Sequence, residues 1–314
     1  DSPLCYTSDW IIISKTAAMP PTKTQIASIS RLFSPGVITE LAREGRSALF
    51  ARLYPDTGLA TDNDSDQATV GAAYESAFAV LRKSGLRDEY VYKAALTHNI
   101  LLGQHSLRTA SMLTEFRAGE CKADIVILNG TASVYEIKSE RDTLSRLTKQ
   151  IQNYQKVFAR VYVIAGHVHV DDILNAVPEK VGVLSLIRWN RIRTVREAAE
   201  SFDLISPVTL FDSLRASEAE QILKNFNIPV PEVPNIQFRN AMRELFMGLP
   251  AEGLHKEMVS VLKQSRNLEA LSDLVNTVPK SLRPAVLSLQ IPKVGHHNLI
   301  SAIQTPLTEA MQWG

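Results

Sequence analysis

The chain has 314 residues, 45% hydrophobic and 21% charged, which fits one large or two ordinary folded domains and excludes a disordered chain. Thirty-four basic and 33 acidic side chains leave a net charge of +1, which excludes a uniformly cationic nucleic-acid binder and confines any nucleic-acid contact to a local patch. No apolar run reaches the ~20 residues of a membrane span, and Trp10-Ile11-Ile12-Ile13 lacks the length and basic flank of a signal peptide, so a cytoplasmic protein with no membrane partner is expected. The two cysteines, Cys5 and Cys121, belong to no CxxC pair and read as free thiols in a reducing compartment.

In chain order, residues 20 to 66 read as short helices, one from about Thr24 to Leu32, broken by Ser34-Pro35-Gly36 and ended by a polar loop that contains Thr61-Asp62-Asn63-Asp64-Ser65-Asp66. The acids of that loop lack the Gly and distal Glu of a calcium loop. A helical pattern begins at Val70 and runs through Leu81, and a second follows Ser84-Gly85, from Arg87 to about Leu102. The period then changes to two. Met112 to Arg117, Ala123 to Leu128 and Ala132 to Lys138 read as short strands, with Asn129-Gly130 as a hairpin signal. An amphipathic helix is expected from about Arg141 to Ala159, with Leu144, Leu147, Ile151, Tyr154 and Phe158 on one face. Val161 to Ala165 and Val181 to Ile187 read as buried strands.

Beyond Ser201 the chain turns helical, with Ser217-x-x-Glu220 as an expected capping box. Ile228-Pro229-Val230-Pro231-Glu232-Val233-Pro234 is a stiff connector, because proline lacks a donor and biases its predecessor to extended geometry. Helices follow at Phe238 to Met247, Gly253 to Gln264 and Leu268 to Val275. The segmentation is 1–68, an N-terminal helical segment; 69–200, an α/β domain; and 201–314, a helical C-terminal region.

Within Ala132 to Lys138, alternation puts Val134, Glu136 and Lys138 on one face. In Ala123 to Leu128 it groups Asp124 with Val126 and Leu128. Whether Asp124 and Glu136 share a face depends on the hairpin. A strict two-residue Asn-Gly loop opposes Asp124 to Tyr135 and separates the acids, whereas a three-residue loop, Leu128-Asn129-Gly130, with Gly left-handed and a bulge, unites them. An odd loop or bulge is therefore expected. Paired carboxylates repel unless a cation neutralises them, so Asp124 and Glu136 with Lys138 nearby suit Mg2+ or Mn2+, the chemistry that phosphodiester cleavage requires. Gln150 lies three residues after Leu147 and four before Tyr154, so both side chains project toward the strand of Glu136 and Lys138 and can hold a phosphate or fix the Lys.

Through Ala123-Asp124-Ile125-Val126, Tyr135-Glu136-Ile137-Lys138 and Gln150-Ile151-Gln152-Asn153-Tyr154, roughly residues 86 to 166 resemble the PD-(D/E)xK nuclease superfamily, in its RecB-like and lambda-exonuclease-like branch. The resemblance implies a restriction-endonuclease-like αβββαβ core with a mixed central sheet. By it, Asp124, Glu136 and the Ile137 carbonyl bind the metal, Lys138 serves the water, and Gln150 and Tyr154 support the site. A third acid is expected from the element before Asp124, with Glu115 first and Glu89 second. Ala123 stands where the family's usual Pro precedes its Asp. The chain also resembles a bacterial and phage protein group that joins such a domain to a C-terminal helical region, from which no activity carries over.

Lys93 and Arg117 are candidates to reach the scissile phosphate, with ion pairs to Glu89 and Glu115 as the competing reading. Arg141, Arg146, Lys149, Lys156 and Arg160 read equally as phosphate contacts or a solvated helix face. Arg188-Trp189-Asn190-Arg191-Ile192-Arg193 with Arg196 interleaves an aromatic with cations, a pattern shared by nucleic-acid contacts and ordinary surface. His167, His169, His296 and His297 lack partner ligands at a recognisable spacing. The expected function is a metal-dependent nuclease acting on DNA before RNA, in phage defence or DNA repair. The alternatives are a catalytically silent nucleic-acid-binding or protein-interaction module on the same fold, and an RNA-directed enzyme. Near-neutral charge points to a partner, a homo-oligomer or a threaded substrate for tight binding.

Overall fold

The computed structural model describes residues 20–59 and 68–314; Cys5, the Trp10 to Ile13 run and the acids from Thr61 to Asp66 lie outside them. Helices α1 (Lys23–Leu32), α2 (Pro35–Glu44) and α3 (Ala48–Leu53) come first, then α4 (Val70–Leu81) and α5 (Glu89–Leu96), which passes through a wide π turn (Thr97–Leu101) into α6 (Leu102–Gln104). Ser34-Pro35-Gly36 separates two helices as expected, because Pro35 takes the first turn of α2, where its missing N–H costs nothing.

Six strands follow: β1 (Ser111–Ala118), β2 (Cys121–Asn129), β3 (Thr131–Lys138), β4 (Arg160–Ala165), β5 (Gly182–Arg188) and β6 (Arg191–Arg196). They form one sheet in sequence order. β1, β2 and β3 are antiparallel, β3, β4 and β5 parallel, and β6 returns antiparallel at the edge. The parallel pairs are joined by α7 (Leu147–Tyr154) and α8 (Val170–Ala176), the helical crossovers that parallel strands require. The fold is therefore α/β with a mixed sheet, and α5 to β4 runs α-β-β-β-α-β.

Two differences from the sequence reading concern this region. β6 was hidden because its two apolar residues, Ile192 and Val195, stand three apart and give no period-two signal among the arginines, and an edge strand carries charge as a matter of course. Helix α7 spans Leu147–Tyr154, not Arg141 to Ala159. Asp142 accepts the Ser139 N–H at 2.7 Å and holds the preceding stretch in a turn, while the Ala159 N–H goes to His255.

The rest of the chain is helical: α9 (Pro207–Asp212), α10 (Ala216–Asn225), α11 (Asn235–Met247), α12 (Ala251–Ser265), α13 (Ser272–Thr277), α14 (Arg283–Leu289), α15 (His296–Gln304) and α16 (Leu307–Ala310). Residues 228–234, the proline connector, are neither helix nor strand. The expected capping box at Ser217 and Glu220 falls elsewhere. Glu218 reaches back to the Arg215 N–H, because α10 begins at Ala216.

Each face of the sheet carries a helical layer. Ile125, Ile127, Tyr135, Ile137, Tyr162, Ile164, Leu184 and Leu186 pack into a core shared with α1, α2, α4, α5 and α13–α16. Val126, Leu128, Val134, Val161, Val163 and Val183 pack against α7–α12. Helices from before residue 68 and from after residue 200 thus complete one core with the sheet, and α2 lies directly on α14 and α15. Among the described residues, no helix is long and apolar enough to cross a membrane.

Candidate functional site

The β2–β3 hairpin turns on a single residue. Asn129 pairs with Thr131 across Gly130, whose φ of 70° is the left-handed conformation that glycine adopts without steric cost. The register runs on through Val126↔Val134 to Ile125↔Tyr135, and one step further it sets Asp124 opposite Glu136. The odd connection that a shared face requires is present, closed one residue later than Leu128-Asn129-Gly130 would have it.

Pairing of β2 with β3 stops at Tyr135, and here the sheet forks. The Ile137 N–H donates to the Asp124 carboxylate, at 2.7 Å. A side chain thus satisfies a main-chain donor where the strands part, which an unpaired buried amide would otherwise leave costly. The alternation of both flanking strands breaks at the same level. Leu113 and Phe116 belong to one core although three residues apart, and Glu115 between them has φ 52°. In β2, Ala123 and Val126 likewise share that core across Asp124. A non-glycine residue in the left-handed region is strained by about 1–2 kcal/mol, held in place by the surrounding ladder.

The fork collects acids. One carboxylate oxygen from each of Glu89, Glu115 and Asp124 lies within 4.8 Å of the others. Glu89 opens α5, Glu115 comes from the irregular point of β1, and Asp124 from β2, so both candidates for the third acid are present together. Burial first, and the facing Glu136 second, push the Asp124 carboxyl up to about 8, against the pull of the Ile137 N–H. Lys93 takes the ion-pair reading, at 2.6 Å from Glu89, and its charge also draws the Asp124 carboxyl down a little. Arg117 turns to the Gly119 carbonyl on the exposed side and does not meet Glu115 among the ion pairs of the described residues.

Glu136 and Lys138 sit on the other side of the fork, both buried. The Lys138 Nζ donates to Glu136 Oε1 at 2.7 Å and to Gln150 Oε1 at 2.9 Å. Gln150 Nε2 donates to the same Glu136 oxygen at 2.5 Å. The Tyr154 hydroxyl stands 2.6 Å from Glu136 Oε2 and 2.8 Å from the Lys122 carbonyl, two acceptors for its one proton. Burial and the adjacent Glu136 push the Tyr154 phenol far above its ordinary range, so it remains a donor. The one-turn spacing of Gln150 and Tyr154 on α7 aims both at one carboxylate, as read from the sequence.

One supporting residue was missed. Asn153, between them, accepts the Glu120 N–H at 3.2 Å and packs on Gly119, where a Cβ would collide with its amide. It fixes the β1–β2 turn to α7. Its position one residue before Tyr154 was the available signal, passed over because it lies beside the apolar stripe.

The charges on and around α7 divide. Lys149 pairs with Glu120 at 2.7 Å, Arg160 with Glu200 at 3.6 Å, and Arg141 donates to the Leu86 carbonyl. Among the described residues, the group Glu89, Glu115 and Asp124 meets the geometry of a metal cluster, and no histidine takes part in it. Cys121 is a free, half-buried thiol.

Residues 82–289 match the family described as Bacteriophage P4 protein cII, and since this is more than half of the chain, the chain belongs to that family. Protein cII of Enterobacteria phage P4 is 24% identical over 166 residues, 51% of this chain and 54% of the phage protein, so the chain spans about half the length of the curated relative it matches. Among solved structures, the SPO1766 protein of unknown function from Silicibacter pomeroyi is similar over 44% of this chain and 88% of its own, at 19% identity and a TM-score of 0.30.

Proposed function

We propose that the chain is a Mg2+- or Mn2+-dependent nuclease of the PD-(D/E)xK type that hydrolyses phosphodiester bonds in DNA. The observation that carries this reading is the convergence at one fork of three carboxylates, Glu89, Glu115 and Asp124, beside a buried Glu136, Lys138, Gln150 and Tyr154 network. Polar groups gathered from five elements are what a functional site needs and what a core avoids.

The donor set fits a hard divalent cation. All three ligating groups are carboxylates, and the Asp124 carboxyl, pushed up to about 8, exchanges its proton readily for a cation. Glu89, Glu115 and Asp124 would hold the ion, with Glu136 facing it across the fork. A bound cation supplies Lewis acidity toward the phosphate and lowers the pKa of attacking water. Lys138 spends two of its three donors on Glu136 and Gln150, and the third orients the water or a phosphate oxygen. Tyr154 and Gln150 lock the carboxylate that steers Lys138, so the ammonium is held in place before substrate arrives. Action in the cytoplasm, in phage defence or DNA repair, with the chain alone or as a homo-oligomer, fits this chemistry.

A second reading has its own support. Both Glu136 oxygens are already bonded by protein donors, which is also how a catalytically silent module would settle a polar core. Incubation with plasmid, linear and single-stranded DNA and with RNA, in Mg2+, Mn2+ or EDTA, separates the two. The expected result is cleavage of DNA with either metal, none in EDTA, and a loss of about 100-fold or more in Glu136→Gln and Lys138→Met variants whose circular dichroism is native. Wild type that cleaves nothing, or variants that cleave equally well, would establish the silent module, and cleavage of RNA alone would move the substrate.

A further inference from the structure

A second polar feature lies at the same end of the sheet as the acids. β5 and β6 are joined by Trp189 and Asn190, and Ile187 is a bulged residue, since Leu186 pairs with Ile192 and Arg188 with Arg191. A bulge leaves main-chain groups without ladder partners. Arg87 takes them: its guanidinium donates to the Leu186 carbonyl at 2.8 Å and the Ile187 carbonyl at 3.1 Å, with Glu140 at 3.7 Å on its inner side. The connection between α4 and α5 is thereby pinned to the hairpin.

Pinning it brings cations together. Arg82, Lys83, Arg87, Arg188, Trp189 and Asn190, with Ala79, line an open groove of about 470 Å3, and no carboxylate lines it. Arg82, Lys83 and Arg188 are exposed, whereas Arg87 is buried. Trp189 is wedged edge-on against Phe78 and His98, and the Arg82 guanidinium lies over its ring at 5.7 Å. A cation stacked this way is held outward in a fixed position at little entropic cost. Glu140 compensates Arg87, but Arg82, Lys83 and Arg188 have no acidic partner among the ion pairs of the described residues, and three such charges in a concave site repel one another, a cost that an anion relieves. Lys149 and Arg160, at the two ends of the α7 region, by contrast pair with Glu120 and Glu200.

We propose that this groove binds the phosphodiester backbone of a single nucleic-acid strand entering or leaving the acid site. The choice of nucleic acid as the anion rests on the nuclease reading above, while the anion site rests on the groove itself. β3, β4 and β5 are parallel, so the C-terminal end of β5, which carries Arg188, is two strands from the C-terminal end of β3, which carries Lys138. Two strand spacings are roughly 10 Å, or about three nucleotides at the ~3.4 Å rise of a stacked strand. Residues 82–88 run from the groove to Glu89, so one connection borders both sites.

The experiment measures binding of the full chain to a labelled single-stranded DNA oligonucleotide by fluorescence anisotropy in EDTA, across a salt series, so that no cleavage intervenes. Arg82→Ala/Lys83→Ala/Arg188→Ala should bind about tenfold more weakly or worse, and its slope of log affinity against log salt should fall by about 2, three phosphate contacts at roughly 0.7 each. Lys83→Glu/Arg188→Glu, which leaves Arg82 on Trp189, guards against a packing effect and should lose binding as fully. Unchanged affinity and slope in both variants overturn the proposal, as does wild type that binds no DNA, or a groove that captures tripolyphosphate without contributing to DNA binding. A chain that never cleaves but binds through these residues refutes the nuclease and keeps the groove; one that cleaves and binds identically in the variants does the reverse.

Discussion

Replacing Asp124 by Asn tests the electrostatics on which the cation site depends. The Asp124 carboxyl titrates at about 8 in the folded chain, because of burial and then the facing Glu136, against 3.8 when unfolded. Between those values the folded protein keeps a proton that the unfolded chain has released. Its contribution to stability is therefore full below about pH 4 and is lost as the pH rises through about 8. At about 1.36 kcal/mol per unit the whole difference would amount to ~6 kcal/mol. Asp124 is only half-buried, so solvent screening reduces this to an expected ~3 kcal/mol, roughly half of it between pH 6 and 8. Asn keeps an acceptor for the Ile137 N–H and has no charge to titrate.

Urea unfolding in EDTA, followed by circular dichroism in half-unit pH steps, should give a wild-type stability that falls across this window relative to the variant. Magnesium or manganese should then replace the proton. At one hundred times its dissociation constant the ion stabilises wild type by about 2.7 kcal/mol, more at pH 8 than at pH 6, and the Asn variant by much less. Parallel wild-type and variant curves in EDTA would refute the desolvated carboxylate. A melting temperature indifferent to both metals at pH 8 would refute the cation site.

Two further expectations concern the helical layer behind the site. Glu218, 2% exposed, accepts from Arg266 Nε and Nη2, both at 2.8 Å, and from Ser265 and the Arg215 N–H. Glu218→Ala strands the Arg266 charge against Phe116 and should cost about 3–5 kcal/mol in urea unfolding, whereas a loss under about 1 kcal/mol would mean that water replaces the pair. His255 on α12 is neutral, accepting the Ala159 N–H, and burial lowers it from 6.5 to about 4. The unfolded chain binds the proton first on acidification, so this contribution of ~3 kcal/mol is whole above about pH 6.5 and lost as the pH falls through 4. His255→Gln should flatten that acid limb, and a ring that titrates near 6.5 by NMR would overturn the assignment.

Five of the six strands and the αβββαβ order were legible because buried strands and an amphipathic helix write their periods directly into residues such as Val134, Ile137, Leu147 and Ile151. So was the Glu136, Lys138, Gln150 and Tyr154 network, whose members are set by one strand parity and one helical turn. β6 was not, since its arginines answer to solvent. Nor was the union of α2 with α14 and α15, because local pattern shows that a face is apolar and not which distant face covers it. For the same reason Glu89 and Glu115 read as rivals. They approach Asp124 from separate elements, a helix and the neighbouring strand, and no spacing along the chain encodes that meeting.

The fork also marks where the parity rule itself stops applying. Alternation assumes an unbroken strand, yet β1 slips at Glu115 and β2 at Asp124, at the same level of the sheet. An isolated slip would turn core residues outward, but two at matched positions keep Phe116 paired with Ala123 while releasing the acids between them from either face. Asp124 then stabilises the opening it occupies by accepting the Ile137 N–H with one carboxylate oxygen, the other group of the pair of strands being Glu136, already saturated by donors from α7 and Lys138. The two carboxylates are therefore unlike. Glu136 is fixed and compensated, Asp124 is short of positive charge, and a cation gains most on the Asp124 side, where Glu89 and Glu115 also lie. The asymmetry follows from where β2 leaves β3, a feature no residue carries by itself.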